Sequence, residues 1–289
     1  MKLLSFGEII WDAYGDEYTI GGAPLNLAAH FTLQGGRAWL VSAVGRDALG
    51  EAALGRIRAL DINTEYVSVS DSVPTGRCDV TLGENGIPSY NILENVAYDN
   101  IVLPDHLNRN FDVLAFGTLA LRGQRNREAL ERVLRSNSFT EVYTDLNIRP
   151  PFYSRESIEL CLANATILKV SDEELPAVTR TVFGKEAPLA DAYGLIAERY
   201  PNVRLILITQ GKDGSSCYDC RAKKLYTCES VPVTVVSTVG AGDSYGAAFL
   251  AHYLKTRDIL AAMNAAAEVS AFVVSRKEAI PDGVDSVSS

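Results

Sequence analysis

The sequence predicts an α/β fold built on a mostly parallel sheet, and three observations carry that reading. Apolar runs alternate with helix-patterned stretches through most of the chain, the mark of βαβ units whose sheet is covered on both faces. The 289 residues are 47% hydrophobic and 22% charged, enough to bury the core of one large α/β domain. No Pro/Gly/Ser-rich linker divides the sheet-forming segments, so residues 1–289 read as one domain.

The elements follow in order. "MKLLSFGEII" carries one lysine and an apolar run interrupted by Gly7 and Glu8, with no small-residue cleavage site, so it reads as a first strand rather than a signal peptide. A helix is expected from about Pro24 to Gln34, a strand in "AWLVSAVG" (38–45) and a helix over 47–60. Then come "DVLAFG" (112–117), a helix over 126–135, "EVYTDL" (141–146), a helix over 155–162 and "TILKV" (166–170). Helices near 172–180 and 188–200, "VRLILIT" (203–209), two strands between Ser215 and Cys228, and a strand leading from Val235 into a further helix complete the pattern, with a last helix over 257–275. Two segments break the rhythm: "WDAYGDEYTI" and Thr64 to Leu93, where "RCDVTL" and "PSYNIL" flank a "GENG" turn. Neither supplies a helix to cover a parallel strand, so both read as hairpin material forming a small β lid from about 11–20 and 64–98.

Composition narrows the function. A net charge of −9 and a pI near 5.0 argue against nucleic acid or an anionic membrane as main partner, since a basic face is needed for either. A polyanionic substrate therefore requires a local positive site. No apolar run approaches the roughly 20 residues that span a bilayer. The five cysteines are odd in number and scattered, which points to a reducing, cytoplasmic setting. Cys217 and Cys220 form a C-x-x-C with no second pair, read as neighbouring buried thiols in preference to a zinc site.

Chemistry concentrates at two places. In "VVSTVGAGDSYGAAFLA" (235–251), Gly240 and Gly242 permit positive φ and close backbone approach, and Ala241 adds little bulk. The helix that follows aims its free N–H groups and positive dipole end at the turn, which suits a phosphoryl group. No G-x-x-x-x-G-K-[ST] is present, and no early strand opens into G-x-G-x-x-G, so neither a P-loop nor a Rossmann dinucleotide site is indicated. A carboxylate in such a turn costs Coulomb energy against phosphate. Asp243 offsets that cost if it is a general base taking the proton of an attacking hydroxyl; an ordinary helix-capping aspartate is the open alternative.

The second place is "TIGGAPLNLAAHF". Gly21 and Gly22 let a polyol press against backbone, Pro24 occupies an early helical position, and Asn26 both donates to and accepts from hydroxyls. Asp12, expected at the end of the first strand, faces the same edge and is suited to grip vicinal hydroxyls. Taken alone, this motif also fits a glycine-rich loop with a helix cap.

Together, "GGAPLN" and "STVGAGDSYGAAF" resemble the two signatures of the ribokinase-like, or PfkB, carbohydrate kinase family, with "VSAVGRDALGEAALGRI", "PTGRCDVTL", "GIPSYNILENVAYDNI", "ILKVSDEEL" and "LILITQGKDGS" between them in the family's order. The likeness covers essentially the whole chain and is strongest to fructokinases. It implies a ribokinase-like three-layer α/β/α sandwich with a mostly parallel central sheet and a small β-sheet lid. The resemblance further implies Asp243 as catalytic base, Gly240, Ala241 and Gly242 as anion hole, and Asp12, Gly22 and Asn26 as sugar contacts. Asn147 and Arg149 of "DLNIRPP" match substrate-facing positions, with a surface ion pair the alternative for Arg149. Glu174 matches an acidic position that organises Mg2+ through water, and Thr209, Gly211 and Gly214 the nucleotide-side loop.

The implied activity is ATP-dependent phosphorylation of a sugar, fructose to fructose 6-phosphate first. A kinase for ribose, 2-keto-3-deoxygluconate or a nucleoside, or a non-catalytic sugar- or nucleotide-binding relative, remains an alternative. A homodimer through the lid is a further implication. Three departures stand out: Ser171 where asparagine is usual, Ser237 where an aspartate usually helps bind an activating monovalent cation, and Glu278 where glycine is frequent. Potassium (K+) activation is therefore left open.

Overall fold

In the computed structural model, residues 1–82, 88–104, 107 and 110–281 are described. Strand β1 (Lys2–Phe6) is buried from Leu3 onward, but the chain leaves it at Gly7 for a second sheet, where β2 (Ile10–Tyr14) and β3 (Glu17–Gly21) pair as an antiparallel hairpin. Asp12 therefore lies on β2 of the small sheet, not at the end of the first strand as expected. Helix α1 (Ala23–Leu33), β4 (Arg37–Gly45), α2 (Ala48–Ala59) and β5 (Asn63–Ser70) follow. Asp47 caps α2 by accepting from Gly50 N at 2.8 Å, satisfying one of the amides that a helix start leaves free.

Residues 64–70, expected in the lid, instead form the outer parallel strand beside β4. The physical reason is that α2 serves as the crossover helix of a β4–α2–β5 unit, so this strand has cover and belongs to the large sheet. The lid is built from β2, β3, β6 (Gly76–Leu82) and β7 (Pro88–Ile92) in the order β3-β2-β6-β7. Its two antiparallel hairpins are joined by a parallel β2–β6 pairing. The expected "GENG" turn falls at 83–86, outside the described residues.

The chain then alternates: β8 (Val113–Phe116), α3 (Gln124–Ser136), β9 (Glu141–Asp145), α4 (Arg155–Asn164), β10 (Ile167–Ser171), α5 (Leu175–Phe183), α6 (Leu189–Arg199) and β11 (Leu205–Thr209). The antiparallel strands β12 (Ser215–Asp219) and β13 (Lys224–Cys228) close one edge, and α7 (Ala241–Thr256) and α8 (Ile259–Val274) end the fold. The large sheet runs β13-β12-β11-β10-β9-β8-β1-β4-β5.

Period-two alternation divides its side chains between two cores. Leu168, Val170, Ile206 and Ile208 pack toward α3–α6, while Ile167, Leu205 and Leu207 pack toward α1, α7 and α8. Three layers result. Among the described residues, no helix is long and apolar enough to cross a membrane.

The strand expected from Val235 is not formed. Val235 and Val236 are 59% and 62% exposed, and the segment's amides at Val236 and Ser237 donate to Val274 O at the end of α8 rather than to a sheet neighbour. An apolar run predicts a strand only when a partner edge is available, and here the edge at β13 is not extended.

Candidate active site

In open α/β sheets, ligands bind beyond the carboxyl ends of the strands, where strand order reverses. In this sheet β1 has β4 on one side and β8 on the other, and a cleft opens there, lined by Ser5 of β1 and its register partner Ala115 of β8. Glu8, Pro24, Leu27, Gly117, Thr118, Tyr143, Asp145, Asn147 and Asp243 also line it.

Asp243 is in the first turn of α7. The turn is made possible by Gly240, the residue before the helix, at φ +78°, where a Cβ would stand 2.9 Å from Ala279. The Ala241 amide is used within the turn, donating to Thr238 O at 3.2 Å. The Gly242 and Asp243 amides, without acceptors inside the helix, are those directed at the cleft end. Lys169 Nζ is 3.1 Å from the point where a Gly242 side chain would begin, so a buried cation stands beside the start of a helix that already favours anions.

The two sequence motifs meet directly. Asn26 Nδ2, on α1, donates to Asp243 Oδ2 at 2.8 Å. Gly22, at φ +112°, starts α1, and a Cβ there would come within 2.5 Å of Glu8 O, so the diglycine loop closes over the end of β1. Burial raises the Asp243 carboxyl above the usual range, and the Asn26 hydrogen bond and the charges of Lys169 and Arg149 hold it down.

Asp145 and Lys169 are the last residue of β9 and the third of β10. Strand alternation puts both on the α7 side, where they form a buried ion pair at 2.8 Å. Burial lifts Asp145 to about 6, opposed by Lys169 and reinforced by Glu174 and Asp243. Burial works against the charge of Lys169, but Asp145, Glu174 and Asp243 outweigh it and raise its pKa. Glu8 is pushed up to about 7 by burial, with Asp243 adding to the rise and backbone amides and Arg149 opposing it. None of Glu8, Asp145 and Lys169 was singled out from sequence. A lysine inside "TILKV" was the available signal, since a strand covered on both faces cannot hold an ammonium without a partner.

The other expected residues are placed around this centre. Asn147 lines the cleft with positive φ. Arg149 is exposed and makes no ion pair among the described residues; its charge acts on Glu8, Asp12, Cys78 and Asp243. Burial raises Asp12, and Arg149 and a hydrogen bond with Cys78 lower it; Asp12 does not line the cleft itself. Glu174 accepts from Ile148 N at 2.5 Å with Oε1 and from Ser171 N and Oγ at 2.9 and 3.0 Å with Oε2. Ser171 thus anchors the acid where the resembled family has asparagine.

Thr209 stands beside Ser171 in register, whereas Gly211 and Gly214 lie in the β11–β12 turn and do not line the cleft that holds Asp243. There Gly214 leaves room for Cys228 O, 2.1 Å from where its Cβ would be. Ser237 uses its Oγ to accept from Val239 N at 3.2 Å.

The donor set fits a nucleotide with its metal in a particular way. Among the described residues no cluster of three or more His, Cys, Asp or Glu side chains is arranged to hold a metal by itself, and both Glu174 oxygens already accept from the protein. An ion held by phosphates, with Glu174 meeting its water shell, agrees with that arrangement. The space at Gly242 beside Lys169 agrees with a phosphoryl group.

A family model described as pfkB family carbohydrate kinase matches residues 2–285. Probable fructokinase-2 of Arabidopsis thaliana is 28% identical over 284 residues, covering 89% of this chain and 83% of the relative. An uncharacterized sugar kinase from Pyrococcus horikoshii, solved in complex with ATP, superposes with a TM-score of 0.80 at 25% identity over 96% of this chain and 94% of that one. A fructokinase from Vibrio cholerae O395, in fructose, ADP and calcium ion bound form, shares the fold with a TM-score of 0.81 at 22% identity over 96% and 94% of the two chains.

Proposed function

Because this chain belongs to the pfkB family of carbohydrate kinases, we propose that its cleft transfers the γ-phosphoryl group of ATP to a sugar hydroxyl, with fructose, taken to fructose 6-phosphate, as leading acceptor. The observation that supports the reading is the 2.8 Å bond from Asn26 to Asp243, which joins a helix start suited to hydroxyls to a helix start suited to an anion. The fructokinase relatives support the choice of sugar.

In this reading the acceptor hydroxyl lies against Asp243, which takes its proton as the oxygen attacks phosphorus. Asn26 fixes the carboxylate so that the free oxygen faces the hydroxyl. The Gly242 and Asp243 amides and Lys169 stabilise the charge that develops on the transferred group, pre-arranged where that charge appears. ATP supplies the phosphoryl group. A Mg2+ ion bound with it would spread the charge of the phosphate oxygens, and Glu174 would hold that ion through water; Thr209, Gly211 and Gly214 border the nucleotide. Gly22, Asn147, Arg149 and, from the small sheet, Asp12 hold the sugar, and that sheet acts as a lid that keeps water from the phosphoryl group.

The test is a coupled ATP-turnover assay over fructose, ribose, 2-keto-3-deoxygluconate and nucleosides, with wild type and Asp243→Asn. The variant keeps an acceptor for Asn26 and loses the base, so turnover on the best sugar falls by about 10²–10⁴-fold. Wild type inactive on every acceptor sinks the kinase reading. Equal turnover by the variant sinks the base assignment.

A further inference from the structure

Glu8 is a buried carboxyl to which the chemistry above gives no task. It stands where the chain passes from β1 to β2, is 4% exposed, and lines the cleft with Asp243, Asp145 and Asn147. Its Oε1 accepts from Ala23 N at the start of α1, at 3.3 Å. Gly22 folds over it, with Glu8 Cγ 3.4 Å from where a Gly22 Cβ would be. No ion pair among the described residues includes Glu8. A carboxyl withdrawn from water costs several kcal/mol unless hydrogen bonds or a counter-charge offset it, and its own amide, the long bond from Ala23 N and the charge of Arg149 offset that only in part, since burial still pushes Glu8 up to about 7.

Holding the diglycine loop does not account for the acid, because a glutamine accepts from Ala23 N equally well. What a carboxyl adds is further acceptor capacity, turned to a cleft whose other polar groups address a hydroxyl. The cleft also carries Asp145 and Asp243, two further carboxyls beside Glu8, which add to the repulsion of an acceptor bearing its own phosphate there.

We infer that Glu8 is a specificity-determining residue that accepts a hydrogen bond from a second hydroxyl of the acceptor, so that the cleft selects neutral polyols carrying that hydroxyl near the one that faces Asp243. The inference rests on the sugar-kinase reading and deepens it.

Glu8→Gln preserves shape and the contact to Ala23 while replacing the other oxygen with a donor. Fructose binding is measured by calorimetry without nucleotide, and KM for fructose and for ATP by turnover, on folded protein checked by circular dichroism. At about pH 8, where Glu8 is ionised, a rise of about 10-fold in the fructose Kd and KM is expected, as for loss of a hydrogen bond to a charged group, with the ATP KM unchanged. Across monodeoxy fructoses, one that binds wild type about 10-fold more weakly binds Glu8→Gln no worse than fructose does.

Unchanged fructose affinity, a parallel rise in both KM values, or equal losses by every deoxy sugar in both proteins overturns the inference, as does a wild type that binds no sugar. The two readings fail separately. Turnover that needs Asp243 but ignores Glu8→Gln removes only the role of Glu8, whereas Glu8-dependent sugar binding without turnover removes only the kinase.

Discussion

Replacing Lys169 with methionine tests the charge balance of the cleft most directly. The variant keeps the length of the side chain and deletes the cation 2.8 Å from Asp145. Burial, Glu174 and Asp243 then act on Asp145 unopposed, and all three raise it from about 6. Its folded pKa already lies above the ordinary value of about 3.9, so the folded state binds more protons than the unfolded one in this range and stability falls as pH rises. In wild type that fall ends near pH 6, where Asp145 ionises beside Lys169. In Lys169→Met it continues, at about 1.4 kcal/mol per pH unit. The gap between the two proteins therefore opens above about pH 6 and reaches about 3 kcal/mol two units higher, within the roughly 3–5 kcal/mol expected for a buried pair deprived of one partner. Urea unfolding followed by circular dichroism at about pH 6 and about pH 8 measures it. A gap of equal size at both pH values refutes the reasoning, and so does failure of Asp145→Asn to recover most of the loss in the double variant.

Two further outcomes are expected. Gly246→Ala places a Cβ 2.1 Å from Tyr143 Oη and 2.9 Å from its Cζ; the Tyr143 ring is fully buried, so α7 has to shift, at about 1–3 kcal/mol, and a thermal melt shows a midpoint several degrees lower, whereas an unchanged midpoint contradicts the close approach of α7 to β9. His30, within α1, is buried and donates from Nε2 to Ala279 O at 2.7 Å, and burial lowers it to about 4. Because the unfolded chain takes up that proton near pH 6.5 and the folded one does not, wild type loses about 3 kcal/mol as pH falls from about 6.5 to 4. His30→Gln keeps a donor for Ala279 and removes the titration, so its unfolding free energy stays flatter across that window; identical slopes count against the assignment.

The parallel α/β pattern, hairpin material in 11–20 and in "RCDVTL" and "PSYNIL", and the glycine-rich start of a helix at 240–243 were legible in the sequence. Each follows from residues close together in the chain. A helix start beside glycines, or a hairpin lacking a covering helix, is a local matter. Errors arose where the partner was distant. The strand at 63–70 reads like hairpin material until α2 is recognised as the crossover that delivers it to β4. Val235–Val239 reads as a strand until the helix end at Val274 takes its amides. Glu8 reads as an interruption in an apolar run, and only the passage between two sheets shows it lining a cleft.

By itself, then, the sequence determined the residue types on which the proposed chemistry rests: a carboxylate in a Gly-Ala-Gly helix start, a diglycine ahead of an asparagine, and the strand and helix periods that build the scaffold. The tertiary structure alone decided which of those groups act on one another. Asn26 and Asp243 are 217 residues apart in the chain and 2.8 Å apart in space. Asp145 meets Lys169 because neighbouring parallel strands turn those side chains to the same face. Turn and cap preferences act over a few residues and are written locally, whereas ion pairing and desolvation depend on strand order and register, which only the assembled sheet sets.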